Sequence, residues 1–333
     1  MRYSEDKNLA LSVPRQSGRR RTVMVDGESY AANPEAGWKG ALAAYLAQKD
    51  VGSEQSRNTY RKELICFFRW LDKTGRPLDG ITKTDILEYK DYLEEVRHCT
   101  SQTVCGYITA LRGFYQWAEA ARLYPDVTRG VKTRRDAEHI RMHLNRQKTH
   151  ELLEWAKARG PRDYAMINLM LRCGLRTVEV HRADIADVSF IEGHRVLFIQ
   201  GKGRKDKKRW VALRNAAWEP LKDYIDTRKG ENAGAPLFVG EGRGSKGRRL
   251  AARTVQHICK TGLRAIGLDS HMYTAHSLRH TTGVRIISNG GSVTDVQEVL
   301  GHASVDTSRI YLKSAAAELR LTNPAERFLD DMD

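Results

Sequence analysis

Between Trp38 and Leu123, apolar residues recur three and four positions apart in four successive stretches, a period that commits this part of the chain to amphipathic helices. Trp38, Leu42, Tyr45 and Leu46 form the first stripe. Tyr60, Leu64, Phe67, Phe68 and Leu71 form the second, which Gly75 and Pro77 end. Thr82, with Asp85 three positions on, makes a capping-box pattern ahead of Ile86, Tyr89 and Leu93. Ser101 opens the fourth, carrying Val104, Ile108, Leu111, Phe114 and Tyr115. Four such stripes can bury one another only by packing together, which predicts a small all-helical domain over 36–124. The aromatic residues fit its core better than they fit base-stacking positions.

The flanks lack this period. Residues 1–35 mix Pro14 and glycines with Arg15, Arg19, Arg20 and Arg21, and are expected to form a flexible basic arm. Residues 125–147, with Pro125, Gly130, Lys132, Arg134 and Arg135, read as an interdomain linker whose basic groups can lie along a phosphate backbone. A second domain is expected over 148–320, its first helix capped by Thr149 and its next begun near Pro161 and ended near Cys173-Gly174. Arg195–Gln200 and Lys208–Leu213 are short β-like segments joined by a glycine-rich basic turn. Helical patterns return at 214–228, 252–266, 276–288, 293–300 and 304–313, leaving 321–333 as a tail. The fold class is therefore mainly α with a small β-sheet: a helical domain followed by a mixed α+β domain.

Over 333 residues the formal net charge is +15, which calls for a polyanionic partner. No run of 18 apolar residues occurs, and the opening residues carry no apolar stretch of the secretory type, so neither a membrane span nor export is expected. Five cysteines, Cys66, Cys99, Cys105, Cys173 and Cys259, stand far apart without a CxxC pair. That spacing disfavours a disulfide scaffold and a thiolate zinc site, and suits a reducing, intracellular setting. GKGRKDKK, at 201–208, is not a phosphate-binding P-loop, because GxxxxGK[ST] is absent.

Four features then follow one another in order: Gly174-Leu175-Arg176-Thr177-Val178-Glu179; Gly201-Lys202-Gly203 between the β-like segments; His276-Ser277-Leu278-Arg279-His280; and Leu300-Gly301-His302, with Tyr311 nine positions later. Singly each is weak. As an ordered set over about residues 36–320 they resemble the tyrosine recombinase (phage integrase) family, including its Xer-type and mobile-element members. The resemblance implies a helical core-binding domain and a catalytic domain clamped on DNA. It also implies a tyrosine that attacks a phosphodiester, forming a 3′-phosphotyrosyl link and releasing a 5′-hydroxyl. The implied catalytic set is Arg176, Lys202, His276, Arg279, His302 and Tyr311, with Glu179 and His280 in support and neither cofactor nor metal.

The chemistry explains these residue types. Charge gathers on the non-bridging oxygens of the pentacoordinate transition state, where planar guanidinium groups suit it; Arg176 and Arg279 are the two clamps. A phenol with a reference pKa near 10 needs activation, which neighbouring cations and a positioned base supply for Tyr311. Lys202, at the hairpin turn, is the implied general acid toward the departing 5′-oxygen, ahead of Lys205, Lys207 and Lys208. His276 lies three residues before Arg279 on one helical face, with proton handling as its implied part; His302 is the implied phosphate hydrogen-bonder. A metal site built from His276, His280 and His302 lacks a carboxylate or cysteine partner. Ala275 stands where many relatives have proline, which relaxes the start of that helix.

Phosphate contacts are expected from Lys132, Arg134, Arg135, Arg204, Lys205, Lys207, Arg243, Lys246, Arg248, Arg249 and Arg253. The implied partners are double-stranded DNA recombination sites, further copies of the chain in a homotetrameric synapse that assembles from monomers, and an accessory directionality protein. The tail can dock on a neighbouring subunit or equally pack on its own chain. The implied setting is the nucleoid of a prokaryotic cytoplasm, or a phage or mobile element within it. Two other readings fit the same residues: a nicking-closing topoisomerase and a catalytically idle DNA-binding architectural protein.

Overall fold

The computed structural model describes residues 22–25, 28–31, 33, 37–48, 54–134, 142–201, 206–302 and 306–322. The chain divides into two compact units, Met1–His139 and Ile140–Asp333.

The first unit opens with strands β1 (Thr22–Val25) and β2 (Glu28–Ala31), paired antiparallel with Val25 opposite Glu28. Both strands lie within the basic arm expected over 1–35. Asp26-Gly27 between two alternating runs is a hairpin signal in its own right. Residues 1–21 of the expected arm lie outside the described residues. Four helices follow: α1 (Gly37–Leu46), α2 (Glu54–Thr74), α3 (Lys83–Asp91) and α4 (Ser101–Ala120), with one π-helical turn over Tyr92–Val96. Gly75, at φ +67°, stops α2 in a left-handed conformation. The Asp85 carboxylate starts α3 by accepting from the Thr82 N–H at 2.8 Å and the Thr82 hydroxyl at 2.7 Å. The stripes meet in one aromatic core, where Phe67 lies edge-on to Tyr89 at 4.9 Å and Phe68 edge-on to Phe114 at 5.3 Å.

The connection at 125–147 is packed at both described ends. Val131 is buried in the first core and Leu144 in the second. Asn145, not Thr149, caps the next helix, accepting the Lys148 N–H at 2.8 Å, because its side chain reaches the free amides one turn earlier.

In the second unit, α6 (Pro161–Arg172), whose Met166, Ile167, Leu169 and Met170 are fully buried, packs against α5 (Arg146–Arg159), and α9 (Ala252–Ala265) packs on α5 and meets α6 where Cys259 Sγ lies 3.7 Å from Met170 Sδ. A short α7 (Thr177–Arg182) leads to the antiparallel sheet β3 (Val188–Ile191), β4 (His194–Ile199), β5 (Arg209–Ala212). Two of its strands match the sequence reading. The third, β3, joins through Glu192-Gly193, both at positive φ, a two-residue turn matched to strand twist. Leu197 sits opposite Val188 and Val211, and these inner-face residues close on α8 (Asn215–Asp226) and α6. Then come α10 (Ala275–Ser288), α11 (Val293–Leu300) and α12 (Asp306–Thr322). The last runs nine residues beyond the expected end at 313, so the helix covers the start of the expected tail; 323–333 lie outside the described residues. Among the described residues, no helix is long and apolar enough to cross a membrane.

Phe67 touches four other aromatic rings while fully buried. Phe67→Ala is expected to destabilise the first unit by about 3–5 kcal/mol through lost burial and a residual cavity, read as a lower urea midpoint.

Candidate active site

α6 ends at Arg172 with Cys173 as its C-cap, and Gly174 at φ +63° turns the chain into Arg176, the residue before α7. A Cβ on Gly174 would come 2.3 Å from Leu300 Cδ2, so the turn also lets α11 approach closely. One α7 turn on, Glu179 has a fully buried side chain. Its Oε2 accepts from the Arg176 N–H at 2.8 Å, and its Oε1 accepts from Arg176 Nη1 at 2.9 Å. A buried carboxylate is costly unless its charge is met, and here the nearest answer is the arginine three residues before it.

Arg279 comes from α10 and is only 1% exposed. Its Nη1 donates to Gly174 O at 2.6 Å and its Nη2 to Leu300 O, while Nη1 lies 3.9 Å from Glu179 Oε2. Nε, buried as well, has no acceptor among the described residues. Burial first, then the charge of Arg176, pushes Arg279 down to about 10, against the pull of Glu179 and Tyr311, so it remains a cation at neutral pH. Arg176 also reaches Leu300 O, at 3.5 Å. The two guanidinium groups thus meet at one carboxylate and at the C-terminal end of α11, where free carbonyls and the helix dipole both favour cations.

Gly301, at φ +60°, ends α11 and delivers His302. His302 Nδ1 is hydrogen-bonded to Ser308 Oγ at 2.8 Å. Burial, then Arg279, Arg176, His276 and Arg209 in turn, push its imidazole down to about 4, so it is neutral at physiological pH. The ring lies nearly parallel to that of Tyr311, with centroids 5.9 Å apart. Tyr311, on α12, is 2% exposed and also packs against the His280 ring at 4.8 Å. Its ring rests on Gly283 of α10, where an added Cβ would stand 2.4 Å from Cε1.

His276 is exposed at the first turn of α10, in the wall of a 550 Å³ cavity shared with Arg176, Thr177, Arg279, Gln256 and Lys260. The missing proline does not leave this helix start unfastened: Thr274 Oγ1 accepts the His276 N–H at 3.2 Å, and Ser277 Oγ accepts the Thr274 N–H at 3.1 Å. His280 braces α12, its Nε2 hydrogen-bonded to Ser314 Oγ at 3.3 Å.

Arg176, Glu179, His276, Arg279, His280, His302 and Tyr311 therefore gather in one unit, although 135 positions separate the first from the last. Lys202, Arg204, Lys205 and Arg135 lie outside the described residues. Of the expected phosphate contacts, Lys132, Arg134, Arg243, Lys246, Arg248 and Arg253 are exposed. Two others are held by carboxylates of the fold: Lys207 donates to Asp184 and to the buried Asp187 at 2.6 Å each, and Arg249 is paired with Asp184.

The sequence reading missed Arg209, Gly283 and Ser308. Gly283 had a signal, since a glycine inside a helix costs stability unless something packs closely on it. Arg209 and Ser308 had none.

Two guanidinium groups joined at a buried carboxylate, a neutral imidazole and an adjacent phenol thus stand together on a mainly helical frame with a small sheet. Comparison with known proteins gives the family. Residues 143–318 match the model of the phage integrase family, and residues 41–122 that of the phage integrase N-terminal SAM-like domain. The chain belongs to the phage integrase family, the tyrosine recombinases, and is an enzyme of site-specific DNA cleavage and rejoining. Tyrosine recombinase XerC of Caldanaerobacter subterraneus subsp. tengcongensis is 27% identical over 303 residues, covering 83% of this chain and 82% of its own. Tyrosine recombinase XerD of Ralstonia nicotianae is 29% identical over 276 residues, covering 80% and 86%. Among solved structures, the XerH site-specific recombinase bound to difH substrate in a pre-cleavage complex matches with a TM-score of 0.62 at 25% identity, covering 78% of each chain. Its post-cleavage complex on palindromic difH matches in fold at 0.68, with 23% identity and 82% and 80% coverage.

Two outcomes follow from this geometry. Gly283→Ala is expected to push the Tyr311 ring aside and lower single-turnover DNA cleavage by about a hundredfold, with DNA affinity in a mobility-shift assay little changed. Protonation of His302 is disfavoured in the folded state, so as pH falls the unfolded chain takes up that proton first, near pH 6.5. The stability this group contributes is whole above about pH 6.5 and declines as pH drops toward about 4. Urea midpoints should fall over that window, and less steeply in His302→Gln.

Proposed function

We propose that Tyr311 attacks the scissile DNA phosphate, with Arg176 and Arg279 on its non-bridging oxygens. The Tyr311 Oη–phosphorus bond forms as the bond from phosphorus to the 5′-oxygen breaks. The phenol proton passes to His276, and Lys202 gives a proton to the departing 5′-oxygen. The released 5′-hydroxyl, or one from a partner strand, reverses these steps and frees the tyrosine. His302, neutral, accepts from the Ser308 hydroxyl at Nδ1 and donates from Nε2 to the phosphate, which leaves the permanent charge to the arginines. Glu179 and His280 orient Arg176 and Tyr311.

The observation that carries this reading is the meeting of Arg176 and Arg279 at Glu179, beside an imidazole stacked on Tyr311. Both Nη atoms of Arg279 lie on backbone carbonyls, Gly174 O and Leu300 O, partners that a phosphate oxygen can replace.

DNA is held mainly through phosphates, with Lys132 and Arg134 in the first unit and Arg243, Lys246, Arg248 and Arg253 in the second, so affinity falls as salt rises. The active assembly is a homotetramer on two DNA duplexes, formed from monomers, and an accessory protein can set its direction. The acidic tail at 326–333, with Phe328, Leu329 and Met332, suits docking on a neighbouring copy. An 880 Å³ groove lined by Leu171, Ile286 and Val299 together with Arg172, Arg214 and Arg285 matches such a segment in charge and polarity. The setting is the nucleoid of a prokaryotic cell, or a phage or mobile element within it, and no cofactor takes part.

A nicked suicide DNA carrying the recombination site is expected to trap a denaturant-resistant protein–DNA adduct. Tyr311→Phe should abolish the adduct and keep DNA binding within about threefold. Adduct formed equally by Tyr311→Phe would overturn the nucleophile.

A further inference from the structure

Arg209 opens β5, opposite Ile199 of β4, and its side chain is 19% exposed. Its Nη2 donates to Glu179 Oε1 at 3.0 Å, the oxygen that Arg176 Nη1 reaches at 2.9 Å. Its Nη1 donates to Val299 O at 2.8 Å, one residue before the carbonyl that holds Arg279. Its stem lies against Gly301, where a Cβ would stand 2.6 Å from Cδ and 2.7 Å from Nε. One side chain therefore touches the carboxylate under both proposed clamps, the carbonyl end of α11, and the turn that delivers His302.

We propose that Arg209 is a positioning residue of the cleavage reaction: it shares Glu179 with Arg176 and fastens the end of α11, so that Arg176 and Arg279 face the scissile phosphate. This rests on the clamp assignment above. The physical reason is competition for one oxygen. Without Arg209, Glu179 and Arg176 can close into a bidentate pair, the preferred geometry of carboxylate and guanidinium, and Arg176 turns away from substrate. With Arg209 in place, Oε1 is divided between two cations and neither holds it alone. Arg209 also supplies a donor to the terminal carbonyls of α11, which otherwise lack a partner within the helix. The left-handed Gly301 beneath its stem keeps this approach open, since a side chain there would collide with it.

The test separates positioning of charge from support of the fold. Single-turnover adduct formation is measured on a nicked suicide DNA with the native scissile phosphate, and on the same DNA with a methylphosphonate there, which lacks one charged oxygen. Arg209→Ala and Arg209→Lys are compared with the unsubstituted protein, with Arg176→Ala and Tyr311→Phe as references. On the native phosphate, Arg209→Ala should lose at least about tenfold in rate while DNA affinity stays within about threefold. On the methylphosphonate that loss should shrink, as it should for Arg176→Ala, because there is less charge to meet. Arg209→Lys should retain more activity than Arg209→Ala on the native phosphate, and it decides the matter by the same ratio if Arg209→Ala does not fold. Losses of equal size on both DNAs, or native-phosphate cleavage at the unsubstituted rate, would overturn the role of Arg209. If Tyr311→Phe forms the adduct, it is the underlying assignment that fails.

Discussion

The carboxylate of Glu179, sealed from water and met by Arg176, Arg209 and Arg279, is the contact on which the rest of this site depends. A lone carboxylate at that depth would be neutralised, and a lone Arg279 at 1% exposure would be equally unfavourable. Each therefore needs the other, and the three arginines carry more charge than one carboxylate can balance. The excess falls on α11: Val299 O takes Arg209, and Leu300 O takes Arg279 and Arg176. An eight-residue helix thus ends on cations that could not otherwise be kept together. Burial first, and the same positive excess after it, hold His302 neutral, so the field that suits a phosphate also bears on the protonation of the group beside it.

α10 sets the geometry around this charge. Its residues 276, 279, 280 and 283 follow the helical period, which sends His276 to the cavity, Arg279 to the buried carbonyls, and His280 and Gly283 toward α12. Tyr311 fits because Gly283 has no side chain. Thr274 and Ser277 cap the helix start on their own, so its position does not depend on a proline.

Much of this was legible in the sequence, and what was legible was local. The capping pair of Thr82 and Asp85, the helix at 293–300 and the apolar stripes of α2 and α4 are short-range patterns that the backbone obeys directly. The site set was legible as an ordered resemblance, not as a calculation of contacts. Arg209 was not, because what it does is fixed by a carboxylate 30 positions away and a carbonyl 90 positions away. The pairing of Lys207 with Asp184 and Asp187, and of Arg249 with Asp184, was not legible either, because these partners approach only once the chain has folded. In the sequence, Asp26-Gly27 between the segments that pair as β1 and β2 is a short-range turn signal of the same kind.

The most direct measurement is a structure of the protein on its DNA site with vanadate bridging Tyr311 and the 5′-hydroxyl in place of the scissile phosphorus. A preassembled guanidinium pair predicts Arg176 and Arg279 on the equatorial oxygens, Glu179 still beneath them, and Arg279 turned from Leu300 O toward the vanadate. Equatorial oxygens met by other cations, with Arg279 still on both carbonyls, would contradict the account.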